Sequence, residues 1–359
     1  MSTLILPSRR EEAWRWSNLE ALGALADAPH GVAPAAEAQF IGLGGPRLVF
    51  VDGAPDLARS VFDRMTIEPL ALGSDHPLGK QATGRGWSLR LNAEQVADPI
   101  EIVHIATGGA NHLPAHIVLG EDAVASIVET YVGEGWSNRL TRIDLARSAR
   151  LMRSVRMIQS AGFISLRDEA ELGEGASLVS IFLGAGGMDC RVDGALTLTG
   201  EAAFAEMGGA LLTEGEQKQE CAVSLRHVGL DGQSRQLWRA VAKDRSTASL
   251  AARVEVARGA QKTDGEQSLR GLLLDRTATV NLKPELEIFA DDVKCAHGAT
   301  VGELDRAALF YLTSRGIAPA RAKALLTRAF VADALGRIGN ETVRDAFTAD
   351  ADHWLEAAL

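Results

Sequence analysis

Ser177-Leu178-Val179-Ser180-Ile181-Phe182 and, further along, Gly194-Ala195-Leu196-Thr197-Leu198-Thr199-Gly200 are the runs that decide the fold. Both are short, rich in alternating apolar residues and bounded by Gly, Asp or Glu, which is the pattern of a strand with a covered face. The same texture extends upstream through Ile100-Glu101-Ile102-Val103-His104-Ile105, Ala125-Ser126-Ile127-Val128-Glu129-Thr130-Tyr131-Val132 and Phe163-Ile164-Ser165-Leu166. From about Trp87 to Val293 such runs recur with little helix between them, which argues against alternating βαβ units. A large sandwich, a barrel or a β-solenoid remains. Two features favour the solenoid: small residues are frequent within the runs, and aromatics make up only 5% of the chain. A narrow coil stacks small side chains, whereas a sandwich core calls for more large ones. No strict repeat length is read from the spacing.

Outside this region the pattern is helical. Ser8-Arg9-Arg10-Glu11 fits a capping box, in which hydroxyl and carboxylate satisfy orphan N–H groups reciprocally, and Ser17-Asn18-Leu19-Glu20 repeats it ahead of Leu22 and Leu25. Trp14 and Trp16 between the boxes are read as anchors onto the main body. A loose stretch with scattered Gly and Pro follows from Pro29 to Lys80. Near the other end, Thr300-Val301-Gly302-Glu303 matches a capping box, with Leu304, Ala308, Tyr311 and Leu312 following at helical spacing. Gly316 is placed as a stop, and Pro319 opens the next helix. In that helix Ala322, Leu325, Leu326, Ala329, Phe330 and Asp333 are expected to share one face. A third helix is expected from roughly Glu341 to Leu355. The expected organisation is an N-terminal helical region over 1–85, a β core over 86–298 and a C-terminal helical region over 299–359.

The chain has 359 residues, 37 basic against 47 acidic, for a formal net charge of −10. This balance is unsuited to sequence-independent nucleic-acid binding or to an anionic membrane surface, so no nucleic acid and no membrane partner is expected. No apolar stretch approaches the ~20 residues of a membrane span. The opening apolar residues before Arg9 are fewer than a secretory leader requires, so no leader is expected. Three widely spaced cysteines, Cys190, Cys221 and Cys295, argue against a disulfide framework and for a reducing, cytoplasmic setting.

Several motifs fail on inspection. Gly73 to Lys80 resembles a phosphate loop but has one residue too many between its glycines, and Gln81 stands where a magnesium-binding hydroxyl belongs. Gly184-Ala185-Gly186-Gly187 starts like a dinucleotide fingerprint, yet Asp189 takes the third glycine position and no helix follows, so a turn is the better reading. Gly42-Leu43-Gly44-Gly45-Pro46 is also a turn. Neither a Gly-x-Ser-x-Gly elbow nor a His-Glu-x-x-His pair occurs.

One constellation carries chemistry. Cys295-Ala296-His297 follows the strand-like run Glu285-Leu286-Glu287-Ile288-Phe289. If Cys295 and His297 lie in a strand, its period of two points both to one face. Thiolate and imidazole suit iron or zinc, and Asp291 and Asp292 are candidates to orient the imidazole. The alternative is a packed thiol beside a histidine with a satisfied hydrogen bond. Two ligands do not complete a cluster or a structural zinc site, so function here requires ligands from another chain. Cys190 and Cys221 read as core residues and His227 as a satisfied strand histidine.

The stretch Lys283-Pro284-Glu285-Leu286-Glu287-Ile288-Phe289-Ala290-Asp291-Asp292-Val293-Lys294-Cys295-Ala296-His297-Gly298-Ala299-Thr300-Val301-Gly302 resembles the signature of the SufB/SufD family of iron–sulfur cluster assembly proteins. Leu309-Phe310-Tyr311-Leu312-Thr313-Ser314-Arg315-Gly316-Ile317, Ala260-Gln261-Lys262-Thr263-Asp264, Gln236-Leu237-Trp238-Arg239 and the Pro7-to-Leu19 stretch with Glu12 and Trp14 are similar to it too. The match is to the SufD branch, because SufB proteins are usually longer and carry a different cysteine-bearing segment. The resemblance implies a right-handed parallel β-helix between two helical regions. It also implies a non-catalytic scaffold in complex with SufB and the ATPase SufC, with a transient iron–sulfur cluster at the SufB interface. His297 would be the metal ligand, Cys295 its neighbour in cluster binding, and Phe310, Tyr311, Leu312, Arg315, Gly316 and Ile317 the surface for SufC. A purely structural role for Cys295 and His297 and a self-sufficient metalloenzyme are the rival readings. Unpaired strand edges at the end of a solenoid also make a homodimer conceivable for the isolated chain.

Overall fold

The computed structural model describes residues 6–31 and 38–358; the apolar opening Met1–Ile5 lies outside them. A 3-10 turn (Glu12–Trp14) and helix α1 (Leu19–Ala26) come first, then β1 (Arg47–Val51), β2 (Ala54–Pro55), β3 (Met65–Leu70) and β4 (Gly84–Leu91). The body follows as β5 (Ile100–Leu119), β6 (Val124–Leu145), β7 (Arg150–Met157), β8 (Ala161–Leu172), β9 (Ser177–Gly184), β10 (Asp189–Leu198) and β11 (Phe204–Thr213). It continues through β12 (Lys218–His227), β13 (Gln233–Ala242), β14 (Thr247–Val256), β15 (Asp264–Leu273), β16 (Thr279–Ile288) and β17 (Lys294–Glu303). Helices α2 (Arg306–Ser314), α3 (Pro319–Leu335) and α4 (Glu341–Ala358) close the chain.

From β7 onward each strand pairs in parallel with the strand two positions on, the hallmark of a parallel β-solenoid with two faces. Face one runs β7, β9, β11, β13, β15, β17; face two runs β8, β10, β12, β14, β16. Strands β5 and β6 contribute to both faces and bend between them at Gly108 and Gly109 and at Gly133 and Gly135, four glycines with positive φ. A Cβ on Gly133 would lie 2.0 Å from the Ala106 carbonyl oxygen, so the coils can approach there only over glycine.

The coils are set by stacked corners. Glu94, Asp122, Ser148, Gly175, Ala202, Asp231 and Lys262 all adopt left-handed φ. The N–H of Asp122 donates to the Arg147 carbonyl at 2.9 Å, that of Ser148 to Glu174 at 2.7 Å and that of Gly175 to Glu201 at 2.8 Å, one corner bonding to the next. Ala123, Ala149, Ala176 and Ala203 follow these corners and are fully buried, because a larger side chain would force neighbouring coils apart.

Face one carries apolar residues on both sides. Leu178 and Phe182 point into the lumen, while Ile181, Leu183, Leu212 and Val241 point outward into a second core with Phe347, Trp354 and Leu355 of α4. Ion pairs Arg156–Asp350 and Arg337–Glu206, both at 2.6 Å, tie the helices down. The C-terminal helices therefore cover the side of the solenoid, and among the described residues the end of the coil stays open.

Several expectations need correction. Among the described residues, the stretch over 1–85 is not mainly helical: it carries β1 to β3 and the start of β4, and β1 and β4 pair with β5 to begin the solenoid. Thr300-Val301-Gly302-Glu303 is not a capping box, since these residues complete β17 against β15. A β ladder outweighs one local cap, so the boundary at 299 falls inside a strand. The cap of α2 is Asp305, whose carboxylate accepts from the Ala307 and Ala308 N–H groups. Ser17 does not cap α1; its hydroxyl donates to Glu220. In α3 the buried side is Ala322, Thr327, Val331, Ala334 and Leu335, while Ala329 and Asp333 are exposed. The helix is turned so that Asp333 reaches Arg239 on β13.

Candidate functional site

Strand β17 is the last rung of face one. Its register on β15 sets Cys295 over Gly265 and His297 over Gln267. Gly265 and Gln267 are buried and alternate with exposed Glu266, so Cys295 and His297 share the lumen-facing side at the open end. Cys295 packs on the edge of the lumen core, in the space that Gly265 leaves by lacking a side chain. His297 is exposed. Burial pushes the Cys295 thiol above its ordinary range, so it stays protonated at neutral pH and is a poor metal donor until a nearby cation or metal offsets that cost.

A column of side chains descends from His297 into the lumen. Gln267 lies beneath it and Gln236 beneath Gln267. Each glutamine crosses the lumen to face two: Gln236 Nε2 donates to the Arg253 carbonyl at 3.0 Å, and Gln267 Nε2 to the Glu285 carbonyl at 3.3 Å. Spacing alone gave no signal for these glutamines, because an isolated Gln in a strand reads as solvent-facing.

Asp291 and Asp292 sit in the corner before β17. The Asp292 carbonyl accepts from Lys262 N–H and its own N–H donates to Gln261 Oε1, and among the described residues neither aspartate is hydrogen-bonded to His297. Also among the described residues, no group of three or more His, Cys, Asp or Glu side chains is placed to hold a metal ion. Cys190 and Cys221 are buried in the lumen and their thiols are pushed up by burial. His227 is buried with Nε2 2.8 Å from Ser234 Oγ.

The end of the coil exposes two strand edges. Strand β16 is bonded to β14 and β17 to β15; their far edges carry no strand among the described residues. Ile288, Phe289 and Val301 are exposed along this end. Beyond it, α2 buries none of its residues. Phe310 is 73% and Tyr311 57% exposed, the Arg315 guanidinium lies 5.2 Å from the Tyr311 ring, and Leu312 and Ile317 are half-buried. Gly316 takes φ +86° at the end of α2.

A cleft of about 700 Å³ lies elsewhere, between the N-terminal segment and the outer side of face two. Trp14, His76, Arg191, Ala222, Ala251 and Lys283 line it, and neither Cys295 nor His297 does. Arg191 stacks 3.8 Å from the Trp14 ring centre, and Lys283 of β16 holds Glu12 at 2.7 Å, so the segment is strapped along face two as far as the last strand.

Residues 104–330 match the family model described as SUF system FeS cluster assembly, SufBD core domain. The chain is 28% identical to the iron-sulfur cluster assembly protein SufD of Escherichia coli over 94% of its own length and 87% of that protein's. It is 26% identical to an iron-sulfur cluster assembly SufBD family protein of Synechocystis, over 94% of this chain and 85% of the other. It is also 31% identical to Protein ABCI7, chloroplastic, of Arabidopsis thaliana, over 64% of this chain and 50% of the relative. The matched span begins in the first full coil and ends in α3, taking in the glutamine column, Cys295 and His297: the chain belongs to the SufBD core family of SUF-system iron–sulfur cluster assembly proteins.

Proposed function

We propose that this chain is a non-catalytic scaffold subunit of a cytoplasmic SUF assembly complex, pairing with SufB and with the ATPase SufC. In this reading the nascent cluster is cargo held at the SufB interface, with His297 as this chain's ligand and Cys295 beside it. The observation that carries it is the position of His297: exposed, lumen-facing, on the last rung, between two unpaired strand edges. Two donors leave a cluster short of ligands, and open ten-residue strands are templates for a second chain that brings the rest. SufC docks on α2 and the turn that follows it through Phe310, Tyr311, Leu312, Arg315, Gly316 and Ile317, a largely apolar surface that the solenoid leaves uncovered. The short link from β17 to α2 joins that surface to the cluster strand.

The test is anaerobic reconstitution of the isolated chain beside its co-purified complex with SufB and SufC. The shared-site reading expects cluster absorbance in the complex and none held stoichiometrically by the monomer. A stable, stoichiometric cluster on the monomer overturns it.

A further inference from the structure

We propose that Gln267 is a positioning residue for His297, accepting the hydrogen of one imidazole nitrogen so that the other points out of the open coil with its lone pair free. The proposal rests on the reading of His297 as a cluster ligand and names the group that prepares it for that role.

The argument starts from register. Gln267 and His297 are direct partners on β15 and β17 and face the same side. Neighbouring strands lie about 4.8 Å apart, within the reach of a glutamine amide and an imidazole stacked one above the other. Gln267 is 1% exposed, so its amide is shielded from solvent. Its Nε2 is committed to the Glu285 carbonyl across the lumen, which fixes the plane of the amide. Its Oε1 is buried with no donor. Buried acceptors in native proteins nearly always have a partner, so this one calls for a donor. Gln236, one coil below, spends its own Nε2 on the Arg253 carbonyl and leaves its Oε1 unpartnered too. The neighbour above is His297, whose exposed ring is free to turn.

The chemistry favours this pairing. A neutral imidazole has one N–H and one lone pair, and the hydrogen bond made by the first selects which nitrogen offers the second to a metal. A neutral amide acceptor suits the task, because it orients the ring without pulling the proton off or adding a buried charge. Of the two acceptors expected from sequence proximity, Asp292 is held in the corner through its backbone, and among the described residues neither it nor Asp291 is hydrogen-bonded to His297.

The experiment uses the whole isolated chain without iron, labelled with nitrogen-15 in histidine, and long-range proton–nitrogen spectra at pH 8. The His297 signals are assigned as those lost in His297→Ala. The wild type is expected to show a single dominant tautomer for His297. Gln267→Leu, close in size but without an acceptor, is expected to give a mixture of both tautomers. Circular dichroism and the urea midpoint identify which variants are folded; if Gln267→Leu is not, Gln267→Met replaces it. Identical tautomer populations in the wild type and the folded acceptor-free variant overturn the proposal. Since no metal is present, this readout fails or succeeds independently of the ligand role, which loss of cluster assembly in His297→Ala tests by itself.

Discussion

Arg153 on face one reaches across the lumen to Asp168 on face two, Nη1 to Oδ2 at 2.5 Å, while its Nε holds Glu129 at 2.6 Å. All three are buried, and Glu129 also meets His104 and the Tyr131 hydroxyl. The opposite charges make burial tolerable, and removing one strands the others. Arg153→Met is expected to cost about 3–5 kcal/mol, because two carboxylates lose their cation inside the coil. Urea denaturation followed by circular dichroism measures it; an unchanged midpoint would contradict the account.

Acid should weaken the fold through buried histidines. Burial holds His104, His112 and His227 at about 4, against an ordinary 6.5. Between those values the unfolded chain takes up protons that the folded chain refuses, so stability is full above pH 6.5 and falls as pH drops toward 4. His227→Asn removes one of these groups and is expected to flatten the acid limb of the urea midpoint between pH 7 and 4.5. Parallel curves for the two proteins would rule out this origin.

Phe310 and Tyr311 are expected to matter for binding and not for folding. Both are exposed on a helix that buries nothing. Changing both to Ser should shift stability by no more than about 0.5 kcal/mol, the usual range for surface positions. Affinity for SufC, measured by calorimetry, should fall at least about tenfold, as for aromatic anchors in an interface. Full affinity would remove α2 as the docking surface.

The last helix is part of the solenoid's stability. Phe347 is fully buried in α4 against the outer side of face one. Phe347→Ala is expected to cost about 3–5 kcal/mol and to lower the unfolding transition of strands and helices together. Separate transitions by fluorescence and by circular dichroism would show that α4 is an independent appendage.

The solenoid class was legible from short alternating runs and sparse aromatics, but the coil length was not. Corners recur as Gly120-Glu121-Asp122-Ala123, Gly173-Glu174-Gly175-Ala176 and Gly200-Glu201-Ala202-Ala203, and the signal is strong there. It fades where Ser148, Asp231 and Lys262 take the same left-handed seat, since the inter-coil hydrogen bond and not the residue type holds that conformation. Arg47-Leu48-Val49-Phe50-Val51 has the composition of a strand, but the Gly and Pro scattered around it mask the signal. At the site, a period of two was enough to put Cys295 and His297 on one side. Which side, and what lay beneath them, depended on pairing with β15 far back in the chain, and local spacing carries no record of that.

The ligand role of His297 is the central claim, and Mössbauer spectroscopy of iron-57 reconstituted on the co-purified complex tests it most directly. With His297→Ala and an unchanged ratio of subunits, the account predicts that the cluster signal is lost while the complex stays assembled. A cluster signal equal to that of the unmodified complex, in type and in amount, would contradict it and leave His297 a structural residue of the last rung.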